Sequence, residues 1–250
     1  MDLRGRVALV TGGSRGIGRA IAEALARHGA AVVVNFCSSQ SEAKEVVAEI
    51  TTAGGRALAV QADVAETPQI EAMFRHVLET FSRVDILVNN AGFEERRMLV
   101  DLPRSDWQRI LDVNLTGALI CAQHAARAMI RQGTGGRIIN ITSIHQNSPR
   151  LGFGHYAVTK AGLWMLTKAL AQELAAYGIT VNAVAPGAIE TDMNRATLAI
   201  PARREAILDR IPQRRIGTTN DVTGAVLFLV SEASAYVTGS TICVDGGLSI

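Results

Sequence analysis

The chain has 250 residues, of which 48% are hydrophobic, 4% aromatic and 19% charged. This composition is typical of a globular domain long enough to bury one large core, and it excludes disordered and fibrous folds. A net charge of +2 is too balanced for a protein whose main task is to coat nucleic acid or an anionic membrane, so neither is expected as a partner.

Short apolar or β-branched segments alternate with helix-length segments along the whole chain. They predict strands at residues 7–10, 31–36, 57–61, 84–89, 137–142, 180–185 and 241–245. Strands this apolar, without regular polar alternation, are buried on both faces, as in a parallel sheet covered by helices on each side. The sequence therefore predicts an α/β fold: one Rossmann-type, doubly wound domain over residues 1–250, with a seven-stranded parallel sheet flanked by helices.

Signals for helix starts support this alternation. They are the capping-box pairs Ser39 with Glu42 and Ser105 with Gln108, and Thr67 followed by Pro68. Two further helices, predicted over residues 113–130 and 156–177, are unusually apolar. The run from Leu163 to Leu166 points in all directions around a helix, so both burial against the sheet and an oligomer interface remain open.

The sequence also limits location and redox chemistry. The apolar stretches are far shorter than the ~20 residues of a membrane span. The chain starts with a predicted strand where a signal peptide would have a basic start and a long apolar segment, so the cytoplasm is expected. Cys37, Cys121 and Cys243 are odd in number, with no CxxC pair and no clustered His, so they are expected to be free thiols.

A glycine-rich turn at residues 11–18 follows the first predicted strand and precedes a helix over 19–28. Glycines allow a sharp turn and bring backbone N–H groups against a pyrophosphate, while the helix N-terminus adds partial positive charge. The order of strand, turn, helix and second strand favours a dinucleotide site over glycines of purely structural use. The residues predicted to bind it here are Gly12, Ser14, Arg15, Gly16, Ile17 and Gly18.

The end of the second predicted strand bears on cofactor choice. NAD-specific sites usually place Asp or Glu there on the ribose 2′-hydroxyl, whereas this chain has no acid at residues 35–39. A 2′-phosphate would then meet no repulsion, and Arg15 and Ser38 could bind it. NADP is therefore predicted as the preferred cofactor. The alternative is that Arg15 extends into solvent and NAD is accepted as well.

A tyrosine and a lysine one helical turn apart form the second constellation. Tyr156 follows Ser143 by thirteen residues, and Lys160 lies four residues further on. On a helix these two side chains share a face, and a nearby ammonium lowers the pKa of a phenol from its usual value of about 10. Tyr156 could then exchange a proton with an alcohol or carbonyl. Taken alone, the pair could also be a core tyrosine near a solvated lysine.

At these residues the sequence resembles the short-chain dehydrogenase/reductase family, from about Arg6 to Gly247. The motifs that carry the resemblance are residues 11–18, Asp63 with Val64, residues 89–92, Asn114, Ser143, residues 156–160, Pro186 with Gly187, and residues 245–247. The resemblance implies an enzyme that transfers hydride between a nicotinamide cofactor and an alcohol or carbonyl, without a metal. It also implies assembly as a homotetramer.

The same resemblance implies roles for single residues. Tyr156 would be the general acid/base, Lys160 would hold the nicotinamide ribose and lower the tyrosine pKa, and Ser143 would bind the substrate oxygen. Asn114 would position a water chain that leads from Lys160. Further cofactor contacts are implied at Asn35, at Asp63 and Val64 beside the adenine, at Asn90, Ala91 and Gly92, and at Pro186, Gly187, Ile189 and Thr191 near the nicotinamide. Because all four catalytic residues are present, a non-catalytic NADP-binding sensor is the weaker alternative.

The substrate is read from the loops, with about residues 188–216 as the substrate loop. Three stretches are similar to bacterial glucose 1-dehydrogenases, and Glu94 and His145 within them suit hydrogen bonds to sugar hydroxyls, although both could instead face solvent or another subunit. Other stretches resemble 3-oxoacyl-carrier-protein reductases equally, and the arginine-rich segment 191–215 could attract an acidic carrier. A sugar 1-dehydrogenase-like activity is expected ahead of oxoacyl or general ketone reduction.

Overall fold

A computed structural model describes residues 1–192 and 194–250; Met193, within the predicted substrate loop, lies outside the described residues. Seven parallel strands form one sheet in the order β3-β2-β1-β4-β5-β6-β7. They are β1 Val7–Val10, β2 Ala31–Phe36, β3 Arg56–Gln61, β4 Ile86–Asn89, β5 Gly136–Ile141, β6 Ile179–Pro186 and β7 Thr241–Val244. The predicted seven-stranded parallel sheet is confirmed.

Helices cover both faces of this sheet. They are α1 Gly16–Arg27, α2 Gln40–Thr52, α3 Thr67–Phe81, α4 Arg104–Leu111, α5 Gly117–Gln132, α6 Gly154–Leu174, α7 Arg195–Leu198, α8 Pro201–Leu208 and α9 Thr219–Val230. Side chains of α1, α2 and α9 share one apolar core with the sheet, and those of α3, α5 and α6 share the other. Within the described chain, no helix combines the length and apolar character needed to cross a membrane.

The strand order determines where a ligand can bind. The chain places β1, β2 and β3 successively outward, and then returns to the middle of the sheet to place β4 on the other side of β1. The loops that leave β1 and β4 therefore run in opposite directions and open a crevice at the carboxyl ends of these strands. The glycine-rich turn follows β1 and residues 90–92 follow β4, so the fold brings these two segments together at the crevice.

None of the three predicted helix caps forms. α3 begins at Thr67 itself, so Glu66 occupies the cap position, and only Pro68 lies in the first turn as predicted. Ser39 precedes α2, but its hydroxyl makes no capping bond because its backbone (φ −85°, ψ 65°) departs from the extended geometry that a capping side chain needs. Ser105 lies inside the first turn of α4, which begins after Pro103. The capping box that does form was not predicted: Thr218 and Asp221 hydrogen-bond reciprocally at the start of α9.

The apolar helix α6 has both buried and exposed apolar side chains. Leu163 is 2% exposed and Leu166 packs against the core on the α3, α5 and α6 face, which accounts for these residues within one chain. In contrast, Val158 and Met165 on the same helix are 45% and 54% exposed. These two residues are candidates for an oligomer interface on this helix, and assembly remains a prediction.

Candidate active site

The glycine-rich turn forms a cradle of backbone at the start of α1. Gly12 and Gly16 have φ of 60° and 55°, in the left-handed region that favours glycine. A Cβ at Gly18 would overlap the carbonyl oxygen of Gly12. Among the described residues no side chain caps α1, so the first N–H groups of the helix face the turn. This uncapped, close-packed turn fits a pyrophosphate.

Two asparagine side chains hold the cradle from opposite sides. Asn35 accepts a hydrogen bond from the Gly12 N–H (3.2 Å) and donates to the carbonyls of Val60 (3.3 Å) and Ala62 (3.0 Å). Asn90 donates to the carbonyls of Thr11 and Gly12, both at 3.0 Å. Asn35 is 1% exposed, so its side chain shapes the turn, and its contact with a cofactor stays a prediction.

Thr11 belongs to this arrangement, although sequence reasoning did not include it among the site residues. Its hydroxyl accepts hydrogen bonds from the N–H groups of Asn90 and Ala91, both at 3.0 Å. This ties the loop after β4 to the end of β1. The available signal was a hydroxyl residue placed between a fully apolar strand and the first glycine of the turn.

The residues predicted to bind a 2′-phosphate lie at the same edge of the sheet. The Gly13 N–H bonds the Asn35 carbonyl at 2.8 Å, which joins the turn to the end of β2. Arg15 and Ser38, just beyond these two positions, are both exposed. Among the described residues Arg15 has no ion pair with a carboxylate, so its guanidinium is free to bind an anion.

Residues predicted to border the adenine lie at the end of β3. The Asp63 carboxylate accepts a hydrogen bond from the Ala65 N–H at 2.9 Å, and it faces the Cys37 thiol, whose pKa is raised by burial and by this carboxylate. Val64 is 6% exposed and its carbonyl packs against Gly117. Val64 therefore offers the cofactor only a small surface.

Segments after β6 complete the crevice. The Gly187 N–H bonds the Val244 carbonyl at 3.0 Å, which fixes the chain after Pro186 beside β7. Ile189 is 4% exposed and pairs with Gly217. A Cβ at Gly16 would lie 3.7 Å from the Thr191 methyl group, so the start of the substrate loop faces the cradle.

Lys160 is held deep in the site. It is 4% exposed, and its Nζ donates to the carbonyl of Ile141 at 2.8 Å. Burial lowers its pKa to about 8, with Glu94 acting in the opposite direction. The ammonium lies 5.6 Å from the ring centroid of Tyr156, as the predicted turn of helix requires. Lys160 is therefore charged at pH 7 and loses its charge in mildly alkaline solution.

Tyr156 is half-buried beside this ammonium. Burial raises the pKa of the phenol, and the Glu94 carboxylate raises it further, while Ser143 and Arg150 oppose the rise. The expectation that Lys160 lowers the phenol pKa is therefore not met in the resting chain. The physical reason is that the loss of solvent disfavours the charged phenolate more than Ser143 and Arg150 favour it. The resting phenol is protonated at neutral pH.

Ser143 and Asn114 complete the four predicted catalytic residues. Ser143 lies close enough to the phenol to lower its pKa, and its Oγ accepts a hydrogen bond from the His145 N–H at 3.1 Å. Asn114 lies in a π-helical turn, Asp112–Thr116, which separates α4 from α5; such turns often occur at functional sites. Its amide bonds both backbone groups of Phe93, at 2.9 and 3.0 Å.

Gly92 leaves a passage between two of these residues. A Cβ at Gly92 would lie 3.1 Å from the Asn114 Oδ1 and 3.6 Å from the Lys160 Nζ. The absence of a side chain therefore keeps Asn114 and Lys160 open to each other. This arrangement suits the predicted water chain from Lys160, which remains a prediction.

The two predicted substrate residues lie at the rim of the site. The His145 ring stands edge-on to Tyr156, with ring centroids 6.4 Å apart. Glu94 accepts a hydrogen bond from Arg150 at 3.0 Å, and the Arg150 guanidinium lies over the ring of Phe153, 3.6 Å from its centroid. Arg150 was not predicted, because its contacts join two loops that are far apart in sequence.

The arginines of the predicted substrate loop are only partly available to an acidic partner. Arg214 pairs with Asp209 at 2.6 Å and Arg215 with Asp221 at 2.8 Å, and Arg195 pairs with Asp192. In the described ranges Arg203, Arg204 and Arg210 have no such carboxylate partner, and α8 buries no residue.

The chain is similar to known proteins over nearly its whole length. A family model described as enoyl-(acyl carrier protein) reductase matches residues 12–249. The chain is 47% identical over 247 residues to a 3-oxoacyl-(acyl-carrier-protein) reductase from Synechocystis sp., covering 98% of each. It is 41% identical over 250 residues to glucose 1-dehydrogenase 2 from Bacillus subtilis, covering 100% of this chain and 96% of that one. A solved gluconate 5-dehydrogenase from Burkholderia cenocepacia, in complex with NADP and tartrate, is 40% identical with a TM-score of 0.94, covering 99% of this chain and 96% of that one.

Proposed function

This chain belongs to the short-chain dehydrogenase/reductase family, and we propose that it uses NADP(H) to interconvert an alcohol and a carbonyl on a small, sugar-like substrate. The observation that carries the proposal is the position of Glu94 and His145. Both lie at the rim of the site that holds Tyr156, Ser143 and Lys160. Polar side chains beside the proposed acid/base, Tyr156, suit a polyhydroxylated substrate, because its hydroxyls need hydrogen-bond partners when they leave water.

The residues of the chain would divide the chemistry as follows. Bound nicotinamide would supply the hydride acceptor or donor, so that an alcohol and NADP⁺ give a carbonyl, NADPH and a proton. Ser143 would hold the substrate oxygen beside the Tyr156 hydroxyl. In reduction the protonated phenol would donate its proton to that oxygen, and in oxidation the phenolate would accept it. The ammonium of Lys160 would stabilise the phenolate while this ion exists.

A second candidate is reduction of a 3-oxoacyl thioester on an acidic carrier. It is supported by the similarity to the reductase from Synechocystis sp.. It is also supported by three exposed arginines that have no carboxylate partner among the described residues, Arg203, Arg204 and Arg210. The sugar proposal is preferred because Glu94 and His145 offer hydrogen-bonding groups that the hydroxyls of a sugar can use and the acyl chain of a thioester cannot. A general ketone reductase and a non-catalytic NADP sensor are weaker alternatives.

An assay with purified protein separates these candidates. Reduction of NADP⁺ is measured with aldoses, polyols and aldonic acids, and NADPH oxidation is measured with a 3-oxoacyl thioester. Turnover of a sugar-class substrate is the expected result. Turnover of the thioester alone would replace the proposal with the carrier-linked reductase, and tight NADPH binding without any turnover would favour the sensor.

Arg15→Gln is expected to raise the KM for NADP⁺ about 10- to 100-fold and to change the KM for NAD⁺ less than about threefold. The reason is that the exposed guanidinium would lose a charge-assisted bond to the 2′-phosphate, which NAD⁺ lacks. Steady-state kinetics with both cofactors measures the effect. Arg27→Gln, at the far end of α1, is the matched control. Equal losses for the two cofactors would assign Arg15 to the fold rather than to the phosphate.

The proposal also covers domain organisation, location and assembly. The chain is taken as a single catalytic domain that works in the cytoplasm and assembles as a homotetramer. The exposed Val158 and Met165 support an interface on α6.

A further inference from the structure

Arg150 is fixed at the rim of the site while most of its donors stay available. Its guanidinium lies over the Phe153 ring and makes one hydrogen bond, from Nη2 to the Glu94 Oε1 at 3.0 Å. The side chain is nonetheless 40% exposed. A guanidinium carries five N–H donors in a planar fork. Among the described residues only Glu94 accepts a hydrogen bond from it, so most of these donors remain available on the exposed side chain.

The position of this fork relative to the reaction centre is also fixed. Phe153 directly precedes α6 and stands three residues before Tyr156, and Glu94 follows Gly92 in the loop after β4. The two loops are joined by the Arg97 N–H and the Gly152 carbonyl at 2.7 Å. Glu94 and Arg150 are both within electrostatic range of the Tyr156 phenol. A substrate whose hydroxyl lies against Tyr156 can therefore reach Arg150 with its other end.

We propose that Arg150 binds a carboxylate on the substrate, so that the site prefers a polyhydroxy acid to a neutral polyol of the same length. This inference rests on the proposed function and narrows its substrate class. A guanidinium matches a carboxylate through two parallel hydrogen bonds, and stacking on Phe153 removes much of the conformational freedom that binding would otherwise cost. Glu94 holds the guanidinium in place and competes with the substrate carboxylate for it.

The test uses D-gluconate and sorbitol, which differ only in a carboxylate or a hydroxymethyl group at one end. For the unaltered protein, kcat/KM is expected to be at least about 30-fold higher for gluconate. Arg150→Met should abolish most of this preference, measured as the ratio of the two kcat/KM values, because any effect of the lost charge on the Tyr156 pKa acts on both substrates alike. Glu94→Gln should move the preference the other way and lower the KM for gluconate, because the competing and repelling charge is removed.

A matched control separates recognition from loop structure. Arg97 is also 40% exposed, but it pairs with Glu95 and Asp106. Arg97→Met should leave the ratio of gluconate to sorbitol unchanged. The KM for gluconate should also rise with salt in the unaltered protein and lose this dependence in Arg150→Met.

Three outcomes would overturn the inference. If Arg150→Met and Glu94→Gln both lower turnover of the two substrates equally, the ion pair serves only the loop structure. If sugars or polyols are oxidised but Arg150→Met leaves the ratio unchanged, the inference fails while the proposed function stands. If no sugar-class substrate is turned over and the thioester is reduced, both fail together.

Discussion

Tyr156→Phe is expected to lower kcat/KM by about 10³-fold or more without loss of the fold. General acid/base catalysis by a positioned side chain contributes about 10²- to 10⁴-fold, and the expected loss lies in the upper part of this range because Tyr156 is the proposed proton donor and acceptor. Phenylalanine keeps the ring, so its edge-on contact with His145 remains. The loss should therefore appear in kcat rather than in the affinity for NADPH.

The pH dependence gives this prediction a second readout. Because burial raises the phenol pKa, the resting site is protonated and suits reduction at neutral pH. Oxidation needs the phenolate, so its rate in the unaltered protein should increase as the pH is raised. In Tyr156→Phe this increase should be absent. Stopped-flow measurement of cofactor absorbance gives the rates of oxidation and reduction for both proteins at each pH. If Tyr156→Phe retains more than a tenth of the activity, Tyr156 does not have the proposed role.

Lys160→Met is expected to abolish most activity and yet to make the protein more stable at pH 7. The pKa of Lys160 falls from 10.5 to about 8 on burial, a difference equivalent to about 3 kcal/mol. Loss of its hydrogen bond to the Ile141 carbonyl costs about 1 kcal/mol. The free energy of unfolding should therefore rise by about 2 kcal/mol, while activity falls about 10²-fold or more because the phenolate loses its neighbouring cation.

The lowered pKa of Lys160 also determines how the stability of the unaltered protein changes with pH. Below pH 8 the lysine is protonated in both the folded and unfolded states, so the full cost of burying the charge is present. Between pH 8 and 10.5 the unfolded chain holds the proton and the folded chain does not, so the unaltered protein gains stability as the pH rises. The advantage of Lys160→Met should shrink over this window.

Urea unfolding at pH 7 and at pH 10 measures this change. Lys168→Met is the control, because Lys168 lies on the same helix but is exposed over the Trp164 ring. It should show no stabilisation and no change with pH. A Lys160→Met protein that is less stable than the unaltered one at pH 7 would show that the ammonium contributes more to the fold than its burial costs.

The sequence determined the sheet, the cradle and the spacing of the reacting residues. Apolar strands predict burial on both faces because they lack polar alternation, and β1, β2, β4, β5 and β6 are buried along their full length. Tyr156 and Lys160 share a helix, so their distance follows from local geometry alone. Local patterns of this kind require no knowledge of the rest of the chain.

Tertiary structure decided the electrostatics and the long-range contacts of the site. The phenol pKa rises where the sequence predicts that it falls, because burial depends on every element packed around Tyr156. The Asn35 side chain supports the glycine turn, because β3 and the chain after it lie beside it and accept its hydrogen bonds. The pairing of Glu94 with Arg150 spans two loops whose approach depends on the sheet. Contacts between distant segments leave no periodic signal in the sequence, so only the folded chain reveals them.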